Sequence, residues 1–175
     1  ADDDAVTTDE DVPLPVTLSA TDPDGEPLTW HVDTPPAHGT LTGTMPDVTY
    51  TPDADYNGAD SFAFHVNDGT SDSNVATVSI TVDPVDDAPT ASDDAFAVDE
   101  DTPEALTLTG GDVDGGAVSW HIATSPAHGL LSGTGPTFVY APFADYNGPD
   151  AFTFYVSDGV NQSATATVTI AVAPV

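Results

Sequence analysis

The chain repeats itself at an offset of 90 residues, and neither copy needs an insertion to align with the other. Asp9-Glu10-Asp11-Val12-Pro13 returns as Asp99-Glu100-Asp101-Thr102-Pro103. Pro36-Ala37-His38-Gly39 returns as Pro126-Ala127-His128-Gly129, and Asp55-Tyr56-Asn57-Gly58 as Asp145-Tyr146-Asn147-Gly148. A repeat of this length means two copies of one folded unit, each burying its own core. The expected division is residues 1–87 and 88–175, with an acidic, Pro-containing linker at about 83–94.

Within each copy the hydrophobic period is two. Val16, Leu18 and Ala20 alternate with Thr17 and Ser19; Leu28, Trp30 and Val32 alternate with Thr29, His31 and Asp33. Phe62, Phe64 and Val66 form a third such set, and Val78, Ile80 and Val82 a fourth. The second copy keeps them as Leu106/Leu108, Val118/Trp120/Ile122, Phe152/Phe154/Val156 and Val168/Ile170/Val172. Alternation with Thr and Ser outward describes half-buried antiparallel strands, and no helical period competes. With shorter strands around 5–8, 39–42 and 48–51, each copy reads as seven short strands. That number at this spacing predicts an all-β fold, two tandem Greek-key sandwiches of immunoglobulin type.

Charge supplies the second constraint. Thirty Asp and Glu stand against no Lys and no Arg. Nucleic acid and anionic membranes both require basic patches, so neither is expected as a partner. No apolar run approaches the roughly 20 residues of a membrane span, so no membrane insertion is expected either. There is no Cys, hence no disulfide, and small β units without such a staple often use metal.

The acids are not spread evenly. In a seven-strand sandwich, Glu10 and Asp11 fall in the turn between the first two strands. Asp55 and Asp60 fall in the loop before the sixth strand, at the same end, and Asp83, Asp86 and Asp87 lie where the chain leaves it. Asp112, Asp114 and Asp158 fall in the upper turns of the second copy, so the four segments are expected to converge on one junction. Two carboxylates at about 6 Å repel by roughly 3 kcal/mol at an effective dielectric near 20. With no basic side chain available, protons or metal ions must neutralise the set. Oxygen donors in this number, without Cys or clustered His, select Ca2+. A solvated acidic surface adapted to high salt is the competing reading. It fits less well, because the outward strand faces carry Thr and Ser rather than acids.

The segments DPDGEPLTW, PPAHGTL, YTPDADYNGADSFAFHVNDG and VDPVDDAPTA resemble the cadherin-like tandem repeats of large bacterial and archaeal surface proteins, including RTX-type adhesins. The resemblance covers essentially both copies. It implies calcium between successive domains, with Glu10, Asp11, Asp55, Asp60, Asp83, Asp86, Asp87, Asp112, Asp114 and Asp158 as ligands. It also implies a non-enzymatic extender of an extracellular, cell-surface adhesin or fibre, whose partners are neighbouring repeats of the same or a longer chain. The linker reads DPVDD, which departs from the D-x-N-D-N of animal cadherins and leaves the ion count open.

Two alternatives stay open at the level of sequence. One is a self-assembling extracellular filament subunit, a homopolymer built by end-to-end or donor-strand contacts through the leading edge strand. The other is a surface-glycan-binding module. His31, His121, His38 and His128 lack a nucleophile or Cys partner and are expected to be structural rather than catalytic or zinc-binding. Tyr56 and Tyr146 are expected to anchor their loops, and Asn161-Gln162-Ser163 is an N-glycosylation sequon.

Overall fold

The computed structural model describes all residues, Ala1–Val175, as strands and connecting loops. The chain divides into two compact units, Ala1–Val85 and Asp86–Val175, two residues ahead of the boundary drawn from the repeat. The first unit contains β1 (Asp4–Asp9), β2 (Leu14–Thr17), β3 (Thr29–Thr34), β4 (Gly39–Thr44), β5 (Asp47–Pro52), β6 (Gly58–Asn67) and β7 (Ala76–Asp83). One sheet runs β1-β7-β6-β3, with β1 parallel to β7; the other is antiparallel and runs β2-β5-β4.

β7 alternates buried and exposed residues without a break, so Ala76, Val78, Ile80 and Val82 all enter the core. They meet Phe62 and Phe64 of β6, and Val16, Leu18, Val48 and Tyr50 from the opposite sheet. Trp30 is only partly buried and stacks on Phe64 at 5.8 Å. Val32 departs from the alternation and is 38% exposed. A register irregularity in the β3–β6 pairing, between Val32 and Thr34, turns the strand there.

The second unit contains β8 (Thr90–Ala91), β9 (Asp94–Asp99), β10 (Glu104–Thr107), β11 (Gly110–Gly111), β12 (Ser119–Thr124), β13 (Gly129–Thr134), β14 (Thr137–Pro142), β15 (Gly148–Ser157) and β16 (Ala166–Ala173). Its sheets are β12-β15-β16-β9 and β10-β14-β13, with β9 parallel to β16. The additional β8–β11 pair depends on Gly110, where an added Cβ would lie 2.6 Å from the Thr90 carbonyl oxygen.

Strand register decides which loops share an end. In the first unit Asp9 is opposite Asp83 and Gly58 is opposite Val82. The β1–β2 turn, the β5–β6 loop and the exit of β7 therefore gather at one end. In the second unit Ser119 is opposite Ser157, which brings the loop before β12 and the turn after β15 to a common end.

Candidate metal centres

At the exit end of the first unit, Glu10 is 3% exposed although it is charged. Its N–H donates to the Asp83 carbonyl at 2.9 Å. Its carboxylate accepts the Val85 N–H at 2.5 Å on Oε1 and the Asn57 amide at 3.3 Å on Oε2. The β1–β2 turn is closed on the β5–β6 loop by a second bond, in which the Asp55 N–H donates to Asp11 Oδ1 at 3.2 Å. Asp11 and Asp55 both adopt left-handed backbone, at φ 58° and 57°. Asp tolerates this conformation better than most residues, and glycine would serve the turn alone. Asp9 and Asp83 are direct strand partners of like charge, an arrangement that works against pairing.

The second unit's own end is organised by the start of the linker. Asp86 Oδ2 accepts the Asn161 amide at 2.8 Å, and the Asp87 N–H donates to Asp114 Oδ2 at 2.8 Å. Asp112 Oδ1 accepts the Asp114 N–H at 2.9 Å, closing a turn that presents both carboxylates. Asp158 Oδ1 accepts the Val160 and Asn161 N–H groups, each at 2.6 Å. Its Oδ2 is buried and has no hydrogen-bond partner.

Such an acceptor costs about 1–3 kcal/mol when unmet, and no Lys or Arg exists to meet it. The side chains gathered at these two ends offer a metal carboxylate oxygens, with no Cys or His among them. Both observations fit a hard divalent cation of the Ca2+ type.

Asp60 requires a correction. Sequence position placed it among the ligands, but its carboxylate is spent inside the sandwich. Oδ1 accepts the Ala37 and Ser61 N–H groups at 2.9 and 2.8 Å, and Oδ2 accepts the His38 N–H at 3.0 Å and the Tyr50 hydroxyl at 2.9 Å. Burial acts to raise its pKa, yet these four donors together hold it below the usual carboxylate value. The same burial and the Asp60 charge push the Tyr50 hydroxyl pKa up. Asp150 repeats the arrangement with Ala127, His128, Ala151 and Tyr140. Gly39 belongs to this network, because a Cβ there would stand 2.5 Å from the Tyr50 ring.

Other residues were missed or read differently. Asn57 and Asn147 bond Glu10 and Glu100, a role signalled only by their recurrence at the same offset. Asn161 stood out as a sequon, whereas its amide nitrogen is bonded to Asp86. Tyr56 does anchor its loop: its hydroxyl donates to the Ala59 carbonyl at 2.8 Å and its ring stacks on His38 at 4.1 Å.

The human mucin-like protocadherin EC1-2 fragment is similar over 99% of this chain and 97% of its own, at 18% identity and TM-score 0.53. Extracellular cadherin domains 1–4 of protocadherin gamma B7 match over 100% of the chain and 50% of theirs, at 13% identity and TM-score 0.52. These likenesses establish the cadherin- and Ig-like fold. An endo-fucoidan hydrolase of glycoside hydrolase family 107 matches at 22% identity and TM-score 0.44, and the chain spans 28% of that enzyme's length. No curated protein matches the chain. The family model described as bacterial Ig domain matches twice, over residues 1–81 and 86–171. The repeat, the all-β topology and this double match agree that the chain belongs to the bacterial Ig-domain family, as two tandem copies.

Proposed function

We propose that the chain is an extender segment of an extracellular surface adhesin or fibre, with calcium held by acids around the linker and stiffening it. The observation that carries this reading is Asp158 Oδ2, a buried carboxylate oxygen with no donor in a chain that has no basic side chain. The residues that would hold the ion are Glu10, Asp11, Asp55 and Asp83 from the first unit, and Asp86, Asp87, Asp112, Asp114 and Asp158 from the second. Asp60 is left out because its donors already fill it. When bound, calcium supplies the positive charge that the chain lacks and stabilises the ordered linker by linkage.

The rest is the work of the chain's own groups. Glu10 holds Val85 through its N–H, and Asn161 holds Asp86 through its side chain. Val85 and Asp86 are consecutive residues, the one bonded within the first unit and the other within the second. Glu100 repeats the role of Glu10, accepting the Val175 N–H at 3.0 Å and the Asn147 amide at 3.1 Å. This recurrence supports neighbouring repeats as the partners of the segment.

Small-angle scattering in EGTA and in millimolar CaCl2 tests the proposal. The expected result is a flexible pair of units that becomes a rod with calcium, and variants Asp86→Ala and Asp158→Asn that stay flexible with both sandwiches folded. An identical rod in EGTA, or variants that stiffen normally, would overturn it.

A further inference from the structure

The outer face of the β1-β7-β6-β3 sheet carries a side-chain cluster that the second unit lacks. His31 on β3 and His65 on β6 are direct cross-strand partners, with ring centroids 5.0 Å apart and planes 18° from parallel. Asp33 lies 2.9 Å from His65 Nδ1 through each of its carboxylate oxygens. Asp72, in the β6–β7 turn, places Oδ1 3.8 Å from Nε2 of the same ring. The second unit keeps His121 but has Ala123, Tyr155 and Gln162 where the first has Asp33, His65 and Asp72. His121 and Tyr155 still stack, at 4.9 Å and 14°. Ring packing on this face therefore needs neither the second imidazole nor the two carboxylates.

An ionised Asp33 fixes the proton of a neutral His65 on Nδ1 and leaves a lone pair on Nε2, on the side where Asp72 lies. Metal-binding imidazoles are ordinarily oriented by a carboxylate in this way. The 3.8 Å between Nε2 and Oδ1 is close to the spacing of two ligands on one ion with bonds of about 2.0–2.2 Å. His31 is solvent-exposed beside them, its ring stacked on that of His65.

We propose that His65, His31 and Asp72 bind one divalent transition-metal ion of the zinc class, with Asp33 as the positioning residue. Imidazole with carboxylate suits Zn2+, Ni2+ and Cu2+, whereas Ca2+ takes oxygen donors. The site is thus distinct in chemistry and location from the acidic ends of the two units.

The full chain would be titrated with ZnCl2 in excess CaCl2, so that the carboxylates elsewhere are already occupied. Calorimetry gives the stoichiometry, and NMR of the histidine ring protons gives the location. One saturable equivalent is expected, shifting the His31 and His65 signals and sparing His38, His121 and His128. His65→Tyr copies the second unit's stacked pair and should abolish binding without lowering the unfolding temperature in EGTA. Asp33→Ala, again the second unit's residue, should weaken binding by about 10–100-fold. A structural His–Asp pair only would show no saturable zinc, equal shifts of all five histidines, or undiminished binding in His65→Tyr; any of these overturns the proposal.

Discussion

Asp60→Asn separates a structural carboxylate from a metal ligand. Both oxygens of Asp60 face donors: the Ala37 and Ser61 N–H groups on one, the His38 N–H and Tyr50 hydroxyl on the other. An amide keeps one oxygen for the Ala37 and Ser61 N–H groups and turns its NH2 toward the other pair. There Tyr50 can accept from it and donate instead to the His38 carbonyl at 3.2 Å, leaving the His38 N–H opposed. One bond to a charged acceptor is then lost and the others become neutral, and the lower desolvation of a neutral group returns part, leaving a cost of about 2–4 kcal/mol. For a unit of this size that corresponds to a fall of roughly 10–25 °C in its midpoint, a large share of a stability of about 5–15 kcal/mol. Scanning calorimetry should show the first unit melting early while the second keeps its transition. The loss should be the same in EGTA and in CaCl2. A cost under about 1 kcal/mol, or one seen only with calcium, would refute the assignment of Asp60 to the sandwich.

Further outcomes follow from the same geometry. Glu10→Gln and Asp158→Asn should each remove most of the calcium-dependent rise in unfolding temperature. The EGTA value should be equal or higher for Asp158→Asn, which alters an oxygen without a partner, and lower for Glu10→Gln, which weakens the bonds from Val85 and Asn57, as paired melting curves check. Asp60 and Asp150 have depressed folded pKa values, so their contribution is complete above about 3.9, the unfolded value, and is lost as pH falls through the folded ones. Tyr50 and Tyr140 have raised values, so theirs is complete below about 10 and lost as pH climbs through the folded ones. Denaturant midpoints from pH 2 to 11 in EGTA, with Tyr50→Phe and Tyr140→Phe as controls, should show the acid limb and the onset of the alkaline one. Gly110→Ala should destabilise the second unit by about 1–3 kcal/mol through overpacking against Thr90, whereas the first unit already carries Ala20 at the matching position. Hydrogen exchange at Thr90 and Ala91 would report the loss of that short pair.

Much of the architecture was legible because period-two alternation and gapless internal repetition are properties of the chain itself. β7 follows the expected inward set residue for residue. Val32 broke the pattern because a bulge depends on the partner strand, which no local signal records. The acidic ends were legible by the same reasoning, since strand order alone sends the β1–β2 and β5–β6 loops to one end. Asp60 was misread because its charge suggested solvent or metal, while its fate was set by Tyr50, ten residues earlier on another sheet. Strand parity turned His31 outward but could not reveal His65 beside it or Asp33 behind it. That cluster exists only once β3 and β6 are in register.

Thermal unfolding of the intact chain in EGTA, in millimolar CaCl2, and in MgCl2 and NaCl of matched ionic strength tests calcium binding most directly. A large upward shift with calcium alone, abolished by Asp158→Asn, is the result expected for specific oxygen sites. An equal shift with every salt would contradict it and reduce the acidic ends to screened surface charge.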